Sequence, residues 1–391
     1  MSEGLIQVVS IGWVFLALPG LSLLEAASCR SGSSQAILLK NWVQIGAGFI
    51  LWWLLGYGFA FGEVDKGFIG TQYFAGNDWE GTEHYIKAVL YGLLGLISLL
   101  IVNIGLLERL NWWGSIVFSV VNLAWIYPVA LAWVSEGWLQ ELDFINRGAT
   151  LTLYVLSATL VIPALWFVKY RVGVEPGTMP LPNNNVLVVL GTLLTWLAIL
   201  GINYSEAGTI EQVGVALWNS FLAGGASAAF SCLLVLFMKH DMYEIWMAML
   251  KGLLGGLVAV SSVATNCEPY EAFIVGAVSG LVFAPTLKFV KKLKWVDDGH
   301  DTIATFFIPG VLGVLLAGVF DKDLGVLNEG SWSNLGVQLA GLGAVAAWGL
   351  LNSTVLFAVL RYTKVLTLGK DVQENGLNSA QLKAGGFERP E

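Results

Sequence analysis

Eleven apolar runs, each long enough to cross a bilayer, recur along this 391-residue chain. The first spans Leu5 to Leu24, and the others lie near 43–61, 86–107, 112–132, 150–168, 186–202, 214–236, 245–263, 272–289, 303–320 and 335–360. A hydrocarbon core about 30 Å thick takes about 20 apolar residues per helix, whereas a barrel strand takes only about 10. Backbone groups facing lipid must be satisfied inside the segment, so runs of this length are read as helices. The fold class is an all-α polytopic membrane protein with eleven transmembrane helices. An odd number of spans puts the two termini on opposite sides.

Composition agrees. Hydrophobic residues make up 56% and charged residues 12%, about half the charge of an ordinary soluble domain. A net charge of −8 leaves no basic face for phosphates, so no nucleic-acid partner is expected. The first run follows Glu3 instead of a basic segment and exceeds a signal-peptide core, so it reads as a retained span. Cys29, Cys232 and Cys267 are too scattered for a disulfide or zinc framework. HExxH, GxSxG and Walker patterns do not occur, so neither an enzyme, a cofactor nor a metal is indicated. Gly341-Leu-Gly-Ala-Val-Ala346 superficially matches a dinucleotide fingerprint but lies inside a span and follows no strand.

Positive charge orients the chain. With the N-terminus outside, only Lys66, Lys87, Arg147 and Lys322 of the 20 Lys and Arg fall on the outer side. Arg30, Arg109, Lys169, Arg171, Lys239, Lys291 and Arg361 are among those at inner positions. The outer loops carry Asp78, Glu80, Glu83, Glu136, Glu141 and Asp143 instead. Such a mouth concentrates cations modestly. The reading places the protein in the plasma (inner) membrane, with residues 1–365 as the transmembrane domain and 366–391 as a cytosolic tail. Many of the 46 glycines sit at small-xxx-small spacing, as in Gly252 and Gly256, Gly276 and Gly280, and the chain Gly310, Gly313, Gly318. That spacing predicts close helix packing in lipid.

Trp52-Trp-Leu-Leu-Gly-Tyr-Gly-Phe-Ala-Phe-Gly-Glu63, Gly105-Leu-Leu-Glu-Arg109, Asp143-Phe144, Gly201-Ile-Asn203 with Gly208, Asp297-Asp298-Gly-His-Asp301 and Glu374-Asn-Gly-Leu377 occur in this order. Together they resemble the ammonium transporter (Amt/Mep/Rh) family along almost the whole chain. The resemblance implies a homotrimer, each protomer holding its own pore between two inverted five-helix repeats, with an eleventh helix outside. It implies ammonium or ammonia as the passenger and the lipid bilayer as the surroundings. A PII-type regulatory protein is a partner that it allows at the cytosolic tail, where Asn378, Gly385 and Phe387 depart from the family pattern.

The resemblance also assigns residues. An outer site that recruits ammonium falls on Trp133, by cation–π attraction, and on Glu206, where relatives often have serine. Arg147 is the nearest cation that could neutralise Glu206. Asp143 joins the recruitment group, with an N-capping role ahead of the pore helix. The gate positions carry Leu94 and Ile202 in place of phenylalanines. Two facing histidines are replaced: the second by Phe306, the first by Leu151 or Thr152, depending on a one-residue gap. His84, His240 and His300 lie in loops and read as solvated.

These replacements carry weight. A charged group in an apolar lumen costs at least about 3 kcal/mol, and histidine suits a proton relay because its pKa lies near 6.5. Phe306 relays nothing; the hydroxyls of Thr152 and Tyr154 are the polar groups left nearby. Residue physics thus favours a closed or altered pore. The sequence reads as an ammonium transporter family channel with a modified apolar pore; the alternative is a non-conducting ammonium sensor or a structural subunit of a membrane assembly.

Overall fold

In a computed structural model the chain is nearly all helical. The structure describes residues 3–65, 67–175, 180–238, 241–329 and 332–378. His240, Lys66, Lys239, Gly385 and Phe387, all singled out above, lie outside the described residues.

Among the described residues, eleven helices are long and apolar enough to cross a membrane. They are the first (Glu3–Ser28), second (Ser31–Phe61), third (Thr82–Leu106), fourth (Trp112–Glu141), fifth (Arg147–Val168) and sixth (Asn185–Tyr204) spans, followed by the seventh (Ile210–Phe237), eighth (Met242–Val260), ninth (Pro269–Lys292), tenth (Ile303–Phe320) and eleventh (Trp332–Tyr362). A small antiparallel ribbon pairs β1 (Val64–Asp65) with β2 (Ile69–Gly70) between the second and third spans. The molecule therefore has two chemically distinct ends. An acidic end gathers loops such as 136–146 and 205–209; a basic end gathers 107–111, 169–175, 293–302 and the tail.

Helix starts are capped at both ends of the molecule. Asn184 accepts from the N–H of Val186 and Leu187 at 3.0 and 3.1 Å at the basic end, and Thr209 Oγ1 from that of Gln212 at 3.2 Å at the acidic end. Such caps satisfy backbone donors that a helix leaves unpaired. The glycine spacing does what packing requires. A Cβ on Gly256 or Gly276 would come within 2.4 or 2.2 Å of the Ala223 carbonyl, and one on Gly280 within 2.5 Å of the Ser227 carbonyl. The seventh, eighth and ninth spans can meet at this distance because no side chain intervenes.

The second span starts twelve residues before its apolar run. Lys40, Asn41 and Gln44 interrupt the hydrophobic pattern, and each is buried and paired. Lys40 and Asn41 donate to Glu25 of the first span at 2.8 and 2.7 Å. Asn103 of the third span donates to Asn41 and Gln44, and Gln44 donates to Ser119 of the fourth at 2.8 Å. Buried polar groups persist when partnered.

The fifth and tenth spans share an entry geometry. A left-handed residue, Ala149 (φ 50°) or Asp301 (φ 56°), is followed by a threonine, Thr150 or Thr302. A π-helical turn then begins, Leu151–Val155 in one and Ile303–Phe307 in the other. The two spans run in opposite directions, so these are matched features of inverted halves. Single π-turns inside helices often mark functional positions.

At the basic end, loops fold back under the bundle. Arg109 is fully buried, bonded to the carbonyls of Gly105, Leu106 and Lys169, with Asp297 at 3.4 Å. Arg171 grips Asp297 with two bonds of 2.8 and 2.9 Å. The tail docks there too. Leu377 is buried, its N–H donates to Ser33 Oγ at 3.3 Å, and Asn378 Oδ1 accepts from the Ala36 N–H at 2.9 Å.

Two histidine expectations change. His300 is buried and bonded to Ser28 at 3.1 Å, because its loop is pinned by a Gly299 N–H to Gly105 carbonyl bond of 2.9 Å. Burial, aided by the Lys251 charge, holds its pKa well below the usual imidazole range. His84 sits in the first turn of the third span, half-buried, with Nδ1 2.8 Å from the Tyr57 hydroxyl. Neither is a solvated loop histidine.

Candidate functional site

A cavity of about 390 Å³ opens at the acidic end, bordered by Phe61, Tyr91, Glu136, Asp143, Arg147 and Glu206 among others. The two aromatic rings lie 5.0 Å apart, and the Tyr91 hydroxyl donates to Glu206 Oε1 at 3.2 Å. Carboxylate and ring faces bordering one space are the ingredients of a cation site.

The charge balance decides what that cavity attracts. Among the described residues two cations border it, Lys87 and Arg147, but both are engaged by carboxylates beyond the lining. Lys87 pairs with Glu83 at 2.7 Å; Arg147 bonds to Asp321 and, at 3.2 Å, to Asp323. Arg147 therefore does not form an ion pair with Glu206, and the lining keeps the excess charge of Glu136, Asp143 and Glu206. Glu206 is itself exposed at the cavity, and the protein crowded around it raises its pKa above the ordinary value, against the opposing pull of Tyr91, Arg147 and the Gly148 N–H.

The structure brings together two of the three recruitment residues expected from sequence. Glu206 and Asp143 share the cavity; Trp133 does not line it. Trp133 is buried, donates its indole N–H to the Phe68 carbonyl at 3.0 Å, and packs against Phe68 and Trp348 with centroids 5.4 Å away in each case. Its ring faces are occupied by neighbours. Asp143 does not cap the fifth span: it sits in a left-handed turn (φ 59°), and Asn146 occupies the cap position. Phe61 and Tyr91, which sequence reasoning missed, supply the rings instead.

Deeper in, the expected lumen residues are tightly enclosed. Leu94, Leu151, Thr152, Ile202 and Phe306 are each 2% exposed or less. A file of water along these side chains would leave each with open surface, and none has it. Thr152 returns its hydroxyl to the Ala149 carbonyl at 3.4 Å.

The side chain stacked on Phe306 is Tyr154, and neither Leu151 nor Thr152. Their rings are nearly parallel, 9° apart in plane with centroids separated by 6.3 Å. Each is the fourth residue of its π-turn, so the pair is symmetric in position and unequal in chemistry. The Tyr154 hydroxyl is buried beside the Ser261 side chain.

Beneath the pair, Lys251 of the eighth span bonds to Asp301, the left-handed residue that opens the tenth. Both are at most 9% exposed. Asp298 completes that entry, accepting from Thr302 Oγ1 at 2.7 Å and the Ile303 N–H at 2.8 Å.

Comparisons with known proteins agree with this geometry. The family model described as the Ammonium Transporter Family matches residues 5–387. A putative ammonium transporter of Synechocystis is 27% identical over 95% of this chain and 72% of its own length. Ammonium transporter 1 member 3 of Solanum lycopersicum is 26% identical over 93% of this chain and 88% of its own. Among solved structures, a sensor Amt protein superposes with a TM-score of 0.91, at 23% identity, covering 97% of this chain and 98% of that one. Saccharomyces cerevisiae Mep2 superposes at 0.85, with 22% identity and coverage of 95% and 88%. At these identities the two structures speak for the fold. Eleven spans, inverted π-turns and a match over nearly the whole length lead to one conclusion: this chain is an integral membrane protein of the ammonium transporter family.

Proposed function

We propose that this protein is a channel, and not an enzyme, that recruits ammonium at its acidic end and passes ammonia through the lumen closed by Tyr154 and Phe306. The observation that carries the reading is the cavity in which Glu206 meets Phe61 and Tyr91 with excess negative charge. That mouth holds a cation; the apolar lumen below it does not. The acidic end faces outward and the tail is cytosolic in the plasma membrane. The protein works as a homotrimer with one pore per protomer. Residues 1–365 form the transmembrane domain, and the tail from 366 is the place for a PII-type regulator.

The tightly enclosed lumen favours a second reading, in which ammonium binds at the mouth without crossing and the protein acts as a sensor or as a subunit of a larger assembly. Purified trimers in liposomes separate the two. Ammonium-evoked current and internal pH are recorded at several ammonium concentrations, beside a histidine-bearing relative. A pH rise above that of protein-free vesicles supports the channel. Silence on both signals, with intact trimers and an active relative, transfers the function to sensing or assembly.

A further inference from the structure

Arg147 borders the same cavity as Glu206 and lies within its electrostatic reach, yet its guanidinium is turned the other way. It meets two carboxylates of the segment that follows the tenth span: Nη1 donates to Asp321, and Nη2 donates to Asp323 Oδ2 at 3.2 Å. The receiving side is built. Asp321 is fully buried, and its Oδ1 accepts from the backbone N–H groups of Asp323 and Leu324 at 3.0 and 3.1 Å. Asn266, between the eighth and ninth spans, donates through Nδ2 to Oδ2 of both carboxylates, at 3.1 and 2.9 Å. The backbone beneath Arg147 is fixed as well. Gly148 holds a left-handed φ of 59°, and a Cβ there would come within 2.6 Å of the Ser261 carbonyl. What is left free to move is the Arg147 side chain, which is partly exposed.

We propose that Asp323 is a positioning residue for ammonium recruitment: it closes on Arg147 a clamp anchored by Asp321, which keeps the guanidinium off Glu206 and leaves that carboxylate to the incoming cation. The inference rests on the recruitment reading above. A guanidinium that let go of the clamp would have the carboxylates of the cavity as its next partners, Glu206 among them. Guanidinium and carboxylate form strong, charge-assisted hydrogen bonds, so Arg147 would then fill the place of the cation and cancel the charge that draws it. Held between two carboxylates on the far side, the same arginine adds little net charge to the mouth. Asp321 also accepts the backbone bonds of its own loop, so its loss would disturb more than the clamp. Asp323 is 68% exposed, and its side chain has Arg147 and Asn266 as its hydrogen-bond partners.

The test uses the full chain purified in detergent. Its unfolding midpoint is followed against ammonium chloride, with sodium chloride holding the ionic strength constant. A ligand that binds the folded state raises the midpoint with its concentration, so the titration reads affinity and the ammonium-free midpoint reads stability. Asp323→Ala is expected to need about fivefold more ammonium for the same rise, the factor expected from losing the Glu206 charge itself. In an Arg147→Gln background no guanidinium is left to swing, and Asp323→Ala is expected to change nothing. Glutamine keeps an N–H donor for Asp321. If that background does not unfold cooperatively, Asp323→Ala/Glu206→Gln decides instead. Both substitutions remove the same charge from use, so their combined loss is expected to stay at about fivefold; a product of about 25-fold marks independent effects and overturns the inference. An unchanged titration in Asp323→Ala overturns it, because Arg147 then stays in place without Asp323. An equal loss with and without Arg147 overturns it too, because Asp323 then acts through its own charge. A folded wild type whose midpoint ignores ammonium refutes the recruitment reading itself and removes the inference with it.

Discussion

Lys251 and Asp301 form a buried ion pair between the eighth span and the turn that launches the tenth. Asp301 holds a left-handed backbone there, five residues before Phe306. The pair thus ties the eighth span to the turn that carries Phe306.

Lys251→Met leaves the Asp301 carboxylate buried and alone. Breaking one side of a buried pair typically destabilises by about 3–5 kcal/mol. A drop in unfolding midpoint of the detergent-solubilised protein is expected, with most of it recovered in Lys251→Met/Asp301→Asn. A double variant as unstable as the single one would show that the charge pairing is not what holds this turn.

Glu206→Gln removes the carboxylate at the floor of the mouth while keeping an acceptor for Tyr91. A cation near a partly screened carboxylate gains on the order of 1 kcal/mol or more, so the ammonium concentration for half-maximal response should rise about fivefold. The raised Glu206 pKa sets the sign of the pH effect. Its charge is lost at a higher pH than that of a solvated glutamate, so wild-type affinity weakens as the medium turns mildly acid. Glu206→Gln should show no such trend.

His300 gives a second pH signature, in stability. The folded imidazole resists protonation because it is buried beside Lys251, whereas the unfolded one takes a proton below about pH 6.5. The unfolded state then binds more protons, so this contribution is present above pH 6.5 and is lost as pH falls toward the folded value. The slope is at most about 1.4 kcal/mol per pH unit. Unfolding midpoints at pH 7.5, 6.5 and 5.5 should fall less steeply in His300→Asn than in wild type.

Tyr154→His/Phe306→His places two imidazoles on matched π-turns facing one another. If lumen chemistry alone keeps charge from crossing, ammonium should evoke a saturating current in the double variant that neither single variant carries. Silent, correctly folded double-variant trimers would mean that the closure lies elsewhere, with Leu94 and Ile202 the next positions to open.

The spans were legible because each apolar run by itself falls within the length range that a membrane helix needs. The start of the second span was not, since Lys40, Asn41 and Gln44 look like a boundary until Glu25, Asn103 and Ser119 are seen to answer them. The lumen register failed for a different reason. The resemblance points to Leu151 or Thr152 according to a one-residue gap, whereas the ring that faces Phe306 across the two π-turns is Tyr154. A signal was present: Thr150 and Thr302 are each followed four residues later by an aromatic, Tyr154 and Phe306. The mouth rings are hidden because the resemblance points to Trp133 near the end of the fourth span, while Phe61 and Tyr91 reach the cavity from the second and third spans.

The Glu25–Lys40 pair bears on how the chain enters the membrane at all. The two charges stand 15 residues apart, on consecutive helices. Each alone would cost about 2.5–3.5 kcal/mol at the centre of an inserting helix. Joined, they give the first two spans no net charge where they meet, and Asn41, bonded to the same Glu25, extends that junction to Asn103 of the third span.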